Sequence, residues 1–489
     1  MPRPLLGLLA AVAVVGIAWA LVVPPWQSPD SFTHYAYTES LATRSALPGR
    51  AGHPESSSST SAAMKAAGTL GAQWSPLSTK PTWNPALARG YRRQSGRLSR
   101  SDGGGPTPSS SNPPVYYALA AMAYLSSVGG DALDRVTTVQ LWGVVLLLAT
   151  VLGAWLLAGE VFGRRRLLQL STAAVAGLQP MVPYISTSVT PDALLITSWT
   201  FVLWLGARVV RRGAPRRDAI ALCSVTALAI LTKETSYALI PAVAFAVLAG
   251  LLRSRRRGWR ETADAVLLPA IALAVPVLVW IAAATRTGRA ALTIKPPTAA
   301  ITEAPSSFIS GLFDYVWQFY LPRLPGQGLF RLPRLGVLPW PRFEPGLPLW
   351  NVWIREGWGV FGWVDLYLPG WIYVVLAAVT GAVAAAGAAI IARFRDRLRL
   401  ALVAFFALAF AALLAVSHVI EYETLRGGTG AFIQGRYLLP VIGLLGLGVA
   451  LIVSRLPVRA RGPVTAVLLV SLLAVQVIAL ATVMKAYYT

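Results

Sequence analysis

Several charged side chains stand at the ends of long apolar segments, where they could do chemistry at a membrane surface. Asp30 follows the apolar run from Leu5 to Val23 after Pro24-Pro25-Trp26-Gln27-Ser28-Pro29, whose prolines favour a stiff, extended backbone. A carboxylate held in this way has the chemistry of a general base for an incoming hydroxyl. The alternative is structural, because an Asp before Ser31 is also a favoured N-cap of a following helix. The two roles are compatible.

Asp192 and Lys233 also flank apolar segments. Asp192 follows Thr190-Pro191 at the start of such a segment, where it can stabilise the positive end of a helix dipole or contribute to a site. Lys233 lies between two apolar segments, and its ammonium can neutralise a phosphate as a point charge. The alternative for Lys233 is a self-paired turn with the neighbouring Glu234.

A second cationic position is Arg436, in the sequence Gln434-Gly435-Arg436-Tyr437-Leu438-Leu439-Pro440 that opens a late apolar segment. An Arg beside the unpaired backbone N–H groups of a helix start can form an anion site. Two other interpretations remain open. The side chain can extend to the membrane interface, or it can pair with Glu421 or Glu423.

The composition indicates that these residues lie in a membrane protein. Of 489 residues, 55% are hydrophobic and only 13% are charged, whereas about a quarter of a soluble protein is charged. Cys223 is the single cysteine, which excludes an intramolecular disulfide and a cysteine metal site. Three histidines are too few for a His-rich zinc site. The sequence has no Walker A, dinucleotide-binding or Gly-x-Ser-x-Gly motif.

The hydropathy pattern predicts about eleven membrane-spanning helices, each of roughly 20 mainly apolar residues. The first is interpreted as an uncleaved span rather than a signal peptide. The predicted spans lie near 5–23, 136–158, 167–185, 191–207, 218–232, 236–252, 263–284, 371–392, 400–419, 437–454 and 464–483.

The distribution of basic residues predicts the orientation. Lys and Arg outnumber Asp and Glu by 43 to 20. With a cytoplasmic N-terminus, the five inner loops hold 20 arginines and the short outer connections hold three basic residues. This alternation follows the positive-inside rule. The excess of basic residues therefore reflects their position in the predicted cytoplasmic loops, and a nucleic-acid partner is not expected.

Two long loops, 24–135 and 285–370, fall on the extracytoplasmic side in this scheme. Ser31–Leu47 and Pro114–Val128 have the spacing of amphipathic surface helices, whereas Gly49–Ser111 is rich in Ser, Gly and Pro and is expected to be loosely folded. The predicted fold is an all-α polytopic membrane protein in three parts, 1–284, 285–370 and 371–489. Asp131 and Asp134 are ordinary loop residues by default, with a metal role as an alternative.

The motifs around these charges resemble those of the GT-C superfamily of integral-membrane glycosyltransferases, and most closely an uncharacterised actinobacterial group of predicted membrane proteins. That group typically shows Pro-Asp-Glu-x-x-His-Tyr after the first span and Gln-Gly-Arg-Tyr-Leu-Leu-Pro late in the chain. The second motif is complete here at Gln434–Pro440. In the first motif, Pro29, Asp30, His34 and Tyr35 match, but Ser31 replaces the family's Glu.

The resemblance implies an inverting membrane glycosyltransferase. The donor would be a polyprenyl-phosphate sugar in the plasma membrane, and the acceptor a cell-envelope glycan or lipid on the extracytoplasmic side. Asp30 would be the base, with a divalent cation left open as a cofactor. The site implied by the motifs is catalytic at Asp30, His34 and Asp192 and substrate-binding at Glu39, Tyr116, Tyr117, Lys233, Gln434, Arg436 and Tyr437. The competing hypotheses are a lipid-linked sugar flippase, an envelope scaffold of the same fold, and a solute transporter.

Overall fold

A computed structural model describes residues 1–70, 82–254, 258–287, 305–321, 348–426 and 433–489. The described chain is nearly all helical. Its α-helices are α1 Arg3–Val22, α2 Ser31–Arg44, α3 Ser58–Ala66, α4 Pro85–Gln94, α5 Val115–Ser126, α6 Ala132–Phe162, α7 Arg166–Leu178, α8 Met181–Ser186, α9 Asp192–Arg212, α10 Arg216–Ile230, α11 Leu239–Arg253, α12 Trp259–Arg286, α13 Pro305–Tyr320, α14 Gly370–Ile391, α15 Arg397–Arg426, α16 Ile442–Arg455 and α17 Val458–Tyr488.

Shorter elements connect these helices. A π-helix at Trp350–Glu356 continues into a helical turn, Gly357–Gly359. It leads to a small antiparallel hairpin in which β1, Val360–Phe361, pairs with β2, Leu366–Tyr367. The 3₁₀ helices lie at Ser95–Arg97, Pro108–Ser111, Glu234–Ala238 and Gly435–Val441.

Within the described residues, nine helical segments are long and apolar enough to cross a membrane. This confirms the prediction of an all-α, multi-pass membrane protein, but not the count of eleven spans. The other two predicted spans correspond to shorter helices. The segment near 167–185 divides into α7 and α8 at Gln179-Pro180, because proline lacks the N–H of a continuous helix. The segment near 218–232 is the 15-residue α10.

Helix α9 lies at the centre of the packing, and almost all of its side chains are buried. Its Thr197 hydroxyl bonds the Thr150 hydroxyl of α6 at 2.9 Å, and the Trp199 indole donates to Ser236 Oγ at 2.9 Å. Such bonds satisfy polar groups that would be costly to leave unpaired among apolar side chains. The start of α9 is thereby fixed relative to α6 and to the 3₁₀ helix after Lys233.

The connection from α8 to α9 is held by a close backbone approach. A Cβ atom added at Gly143 of α6 would fall 2.0 Å from the carbonyl oxygen of Ser186, so only glycine fits there. The turn that follows Ser186 therefore lies directly on α6, and it leads to Asp192.

The first long loop folds into a small subdomain formed by α2 to α5. Helix α2 is not a surface helix, because most of its side chains from Ser31 to Ser40 are buried. The expectation of a loosely folded Gly49–Ser111 is wrong for its described part, which contains α3 and α4. The tyrosine Tyr91 of α4 is 2% exposed, and the Ser57 hydroxyl accepts the Thr60 N–H at the start of α3. Hydroxyl groups in this segment therefore form helix caps and are not simply exposed to solvent along a flexible chain.

The charged groups separate into two ends of the helix bundle. At one end, Arg212 pairs with Glu160 at 3.1 Å and Arg208 pairs with Asp218 at 2.8 Å. Asp192 lies at the opposite end of α9, about 30 Å away for a helix of 21 residues. The end of α17 is on the Asp192 side, since Tyr488 donates to the Val22 carbonyl at the end of α1.

Candidate functional site

Asp30 lies in the turn between α1 and α2 with its backbone in the left-handed region, at φ 58°. Non-glycine residues seldom adopt this conformation, and such strain is concentrated at functional sites. Asp30 occupies the N-cap position of α2, but its carboxylate makes no capping hydrogen bond, so the prediction of a side-chain cap is wrong. Thr33 instead donates its hydroxyl to the Asp30 carbonyl oxygen at 3.0 Å. The carboxylate is free of the helix and turns toward Arg436.

Arg436 contacts two aspartates that lie far from it in the sequence. Its Nη2 donates to Asp30 Oδ2 at 2.9 Å, and its Nε lies 3.7 Å from Asp192 Oδ2. The Arg436 side chain is 5% exposed and the Asp30 side chain is 49% exposed. Arg436 is therefore a buried side chain that pairs with two aspartates, whereas the sequence also allowed an exposed side chain or a pair with Glu421 or Glu423. Its buried Nη1 has no hydrogen-bond partner in the part of the chain that the structure describes.

Asp192 is the other centre of the cluster. Lys233 Nζ donates to Asp192 Oδ1 at 2.6 Å, and the Asp192 side chain is 5% exposed. Lys233 thus pairs with a distant carboxylate and not with the neighbouring Glu234. The Thr190 hydroxyl accepts the Asp192 N–H at 3.4 Å, which agrees with Thr190 as the cap of α9. One buried carboxylate therefore lies beside two cations.

An aromatic ring supports both cations. The Tyr437 ring centre is 4.7 Å from Lys233 Nζ and 5.5 Å from Arg436 Cζ. The negative face of an aromatic ring attracts cations within about 6 Å. Gln434 precedes this segment, and its buried Oε1 has no hydrogen-bond partner among the described residues. Most buried polar side-chain atoms in proteins have a hydrogen-bond partner, so this oxygen is an exception.

His34 lies one turn into α2 and is held by hydroxyl groups. Its Nδ1 is 2.9 Å from the Tyr117 hydroxyl and 3.0 Å from Ser109 Oγ. Asn112 donates to the Tyr117 hydroxyl at 2.8 Å. Burial lowers the pKa of His34 to about 4, although the negative charge of Asp30 acts in the opposite direction. The imidazole is consequently neutral near pH 7.

The pKa of Asp30 is set by two opposing effects. Burial raises it, but the positive charge of Arg436, with smaller effects of His34 and Lys233, lowers it below its usual value. Asp30 is thus an ionised carboxylate over the physiological range. It is also the most exposed side chain among the ion-paired carboxylates of the cluster, since Asp192 is 5% exposed. This makes Asp30 the carboxylate that an incoming molecule can reach.

Glu39 lies elsewhere in the subdomain formed by α2 to α5. Its Oε1 accepts the Thr60 hydroxyl at 2.9 Å and the Tyr124 hydroxyl at 3.3 Å. Burial raises the pKa of Glu39 to about 7, against the lowering effect of hydrogen bonds from Thr60 and Ser57. The structure therefore does not bring Glu39 into the ion-paired cluster, and its contacts are with α3 and α5.

The two tyrosines of α5 are covered by protein. Tyr116 is 1% exposed and Tyr117 is 0% exposed. The Tyr117 ring stacks on Tyr37, with centroids 3.8 Å apart. Their surroundings indicate that they support α2 and the His34 ring, while the predicted contact with substrate remains a prediction.

Asp131 and Asp134 have a structural explanation. Their side chains and backbones form a reciprocal capping box at the start of α6, and Arg92 donates to Asp134 at 2.9 Å. Throughout the described ranges, no group of three or more His, Cys, Asp and Glu side chains could hold a metal ion.

Two glutamates outside the predicted site bind the backbone before Arg436. Glu421 accepts the Ile433 N–H at 2.6 Å, and Glu356 accepts the Gly435 N–H at 3.0 Å. The sequence indicated Glu421 as a partner for the Arg436 side chain, but no pattern linked Glu356 to this segment.

Comparison with solved structures finds two proteins that align over most of this chain. ArnT from Cupriavidus metallidurans, bound to undecaprenyl phosphate, is 14% identical with a TM-score of 0.44, over 94% of this chain and 61% of ArnT. The Archaeoglobus fulgidus oligosaccharyltransferase tethered with an acceptor peptide is 12% identical with a TM-score of 0.49, over 98% of this chain and 55% of that protein. The chain thus spans less than two thirds of each. At these identities, the likeness assigns no activity.

Sequence comparisons give the family. No curated protein matches the chain. The model of a family described as a predicted membrane protein, DUF2142, matches residues 13–445. This match covers most of the 489 residues. The chain therefore belongs to the DUF2142 family of predicted membrane proteins.

Proposed function

We propose that this protein is an inverting glycosyltransferase that moves a sugar from a polyprenyl-phosphate donor to an acceptor hydroxyl of the cell envelope. The observation that carries the proposal is the cluster in which buried Arg436 lies between the exposed Asp30 and the buried Asp192, with Lys233 on Asp192. The proposal includes membership of the GT-C superfamily and an actinobacterial origin, both inferred from the motifs around Asp30 and Arg436.

The cations suit a phosphate leaving group. Arg436 Nη1 and Nε lack hydrogen-bond partners within the described residues although both are buried. A phosphate oxygen would satisfy them, since an Arg can bind phosphate through paired N–H donors. Lys233 adds a second positive charge at Asp192 Oδ1, whereas Arg436 faces Asp192 Oδ2. Groups fixed in advance around a developing negative charge stabilise the transition state most effectively.

The exposed carboxylate of Asp30 is suited to the role of general base. The acceptor oxygen would attack the anomeric carbon, while the bond from that carbon to the phosphate oxygen breaks. The electron pair of that bond leaves with the polyprenyl phosphate, and the acceptor proton passes to Asp30. Binding of the phosphate to Arg436 would release Asp30 from its ion pair, so that donor binding prepares the base. A single displacement of this kind inverts the anomeric configuration.

The proposal places the cluster on the extracytoplasmic side of the plasma membrane, with the N-terminus in the cytoplasm. The separation of the Arg212–Glu160 pair from Asp192 along α9 supports this orientation, because basic residues collect on the cytoplasmic side. Gln434 and Tyr437 would contact the donor, and His34 would shape the surface beside Asp30.

The test is sugar transfer by the purified protein in proteoliposomes, with synthetic short-chain polyprenyl-phosphate pentoses and hexoses as donors and an envelope extract as acceptor. Asp30→Asn should lower turnover by about 10²- to 10⁴-fold, the usual contribution of a general base, and leave donor binding intact. Asp264→Asn is the control, because Asp264 is an exposed carboxylate of α12. Undiminished transfer by Asp30→Asn would exclude Asp30 as the base.

A flippase or scaffold of the same fold is the alternative. Either would leave the donor chemically unchanged. Mass spectrometry of the donor after incubation separates the cases, because a transferase releases polyprenyl phosphate and a flippase does not.

A further inference from the structure

The segment before Arg436 is held by acidic side chains from two distant parts of the chain. Glu421 comes from α15 and is 0% exposed, and Glu356 ends the π-helix and is 7% exposed. Their carboxylates accept the backbone N–H groups of Ile433 and Gly435 at 2.6 Å and 3.0 Å. These two hydrogen bonds fix the backbone immediately before Arg436.

The start of a helix explains why outside acceptors are needed here. The first N–H groups of a helix have no partner within it. Gln434 precedes the 3₁₀ helix Gly435–Val441, and its side chain makes no capping hydrogen bond. Glu356 supplies the missing acceptor from another segment.

The backbone contact around Gly435 leaves no room for adjustment. A Cβ atom at Gly435 would lie 2.2 Å from the Gly357 nitrogen and 2.3 Å from the Val352 carbonyl oxygen. The Gly357 carbonyl in turn accepts Gln179 Nε2 at 2.6 Å, at the break between α7 and α8. The segment is thereby linked to the centre of the bundle. π-Helices such as Trp350–Glu356 are often found at functional sites.

We propose that Glu356 and Glu421 are positioning residues that hold Arg436 between Asp30 and Asp192. This inference rests on the proposed function, in which Arg436 binds the donor phosphate. Neither glutamate needs to touch the substrate. Their effect on the reaction passes through the position of the Arg436 guanidinium, whose distances to the two carboxylates are 2.9 Å and 3.7 Å.

A double-mutant cycle tests the inference. Glu356→Ala should lower kcat/KM for sugar transfer by about 10- to 100-fold, the range expected when a hydrogen bond to a charged group is lost. Glu356→Gln should keep most of the activity, because its amide oxygen still accepts the Gly435 N–H. In an Arg436→Gln background, Glu356→Ala should change the remaining rate by less than about two-fold, since residues that act through one another are not additive.

The same cycle with Glu421→Ala and Glu421→Gln provides a second, independent set of variants if Glu356→Ala does not fold. Glu160→Ala, at the opposite end of the bundle, is the control for loss of a carboxylate. Equal losses from the glutamate substitutions in the wild-type and Arg436→Gln backgrounds would overturn the inference.

Binding of farnesyl phosphate, measured by native mass spectrometry, separates this inference from the proposed function. If farnesyl phosphate binds the wild type and this binding falls in Arg436→Gln and Glu356→Ala alike, the positioning role stands even where no sugar transfer is found. If Glu356→Ala and Glu421→Ala both bind it as the wild type does, the positioning role is wrong.

Discussion

Asp192→Asn is the substitution that most directly tests the ion-paired cluster. Among the residues that the structure describes, Asp192 is the carboxylate in contact with both cations, at 2.6 Å from Lys233 Nζ and 3.7 Å from Arg436 Nε. Its side chain is 5% exposed, as is that of Arg436, whereas Lys233 is 19% exposed. Asparagine keeps the shape and one amide oxygen, but leaves two adjacent positive charges with only Asp30 to balance them.

The expected loss in the free energy of unfolding of Asp192→Asn follows from this burial. Removal of one partner from a buried ion pair costs about 3–5 kcal/mol. The lower end of this range applies here, because the Asn oxygen still accepts from Lys233 and Asp30 still pairs with Arg436. A loss of about 3 kcal/mol corresponds to a fall of roughly 3–6 °C in the apparent Tm of a chain of this size.

The assay is thermal unfolding in detergent, with and without farnesyl phosphate. An added phosphate replaces the missing negative charge, so farnesyl phosphate should raise the Tm of Asp192→Asn by more than it raises that of the wild type. Asp264→Asn is the matched control and should change neither value. An unchanged Tm for Asp192→Asn, or an equal effect of farnesyl phosphate on both proteins, would refute the reasoning about the cluster.

Three further predictions concern the pH dependence, the backbone and the topology. Burial raises the pKa of Glu39 in the folded protein to about 7, above its ordinary value of 4.5, so the free energy of unfolding should fall by about 3 kcal/mol as the pH rises from 4.5 to 7. Glu39→Gln should remove this slope in thermal unfolding, and a slope that persists would assign it to another group. Gly435→Ala should lower transfer and Tm together, because its Cβ would collide with the backbone at Gly357, whereas Gly96→Ala, with no atom nearby, should change neither. In intact cells, a membrane-impermeant maleimide should label Thr489→Cys but not Arg395→Cys. The buried Cys223 is the only other thiol in the chain. Labelling of both variants would contradict the proposed orientation with a cytoplasmic N-terminus.

The strained turn at Asp30 and the break at Gln179-Pro180 show how far local pattern determined the structure. Prolines at 24, 25 and 29 predicted that no helix continues through this segment, and the structure agrees. Pro180 carried the same signal within a predicted span, but the hydropathy there predicted one continuous helix. The Ser- and Gly-rich composition of Gly49–Ser111 predicted loose folding. This prediction failed for the described part because composition does not show which hydroxyl groups form helix caps or pack in the core.

The sequence by itself determined that this is a multi-pass helical membrane protein, because apolar length is a local property. It also indicated the charged residues at the span ends, since charges are excluded from the middle of a bilayer. Only the tertiary structure decided which of these charges meet. Asp30 and Arg436 are 406 residues apart, and Glu356 reaches Gly435 across 79 residues. Such partners are selected by how the helices pack, and no local pattern in the chain specifies that packing.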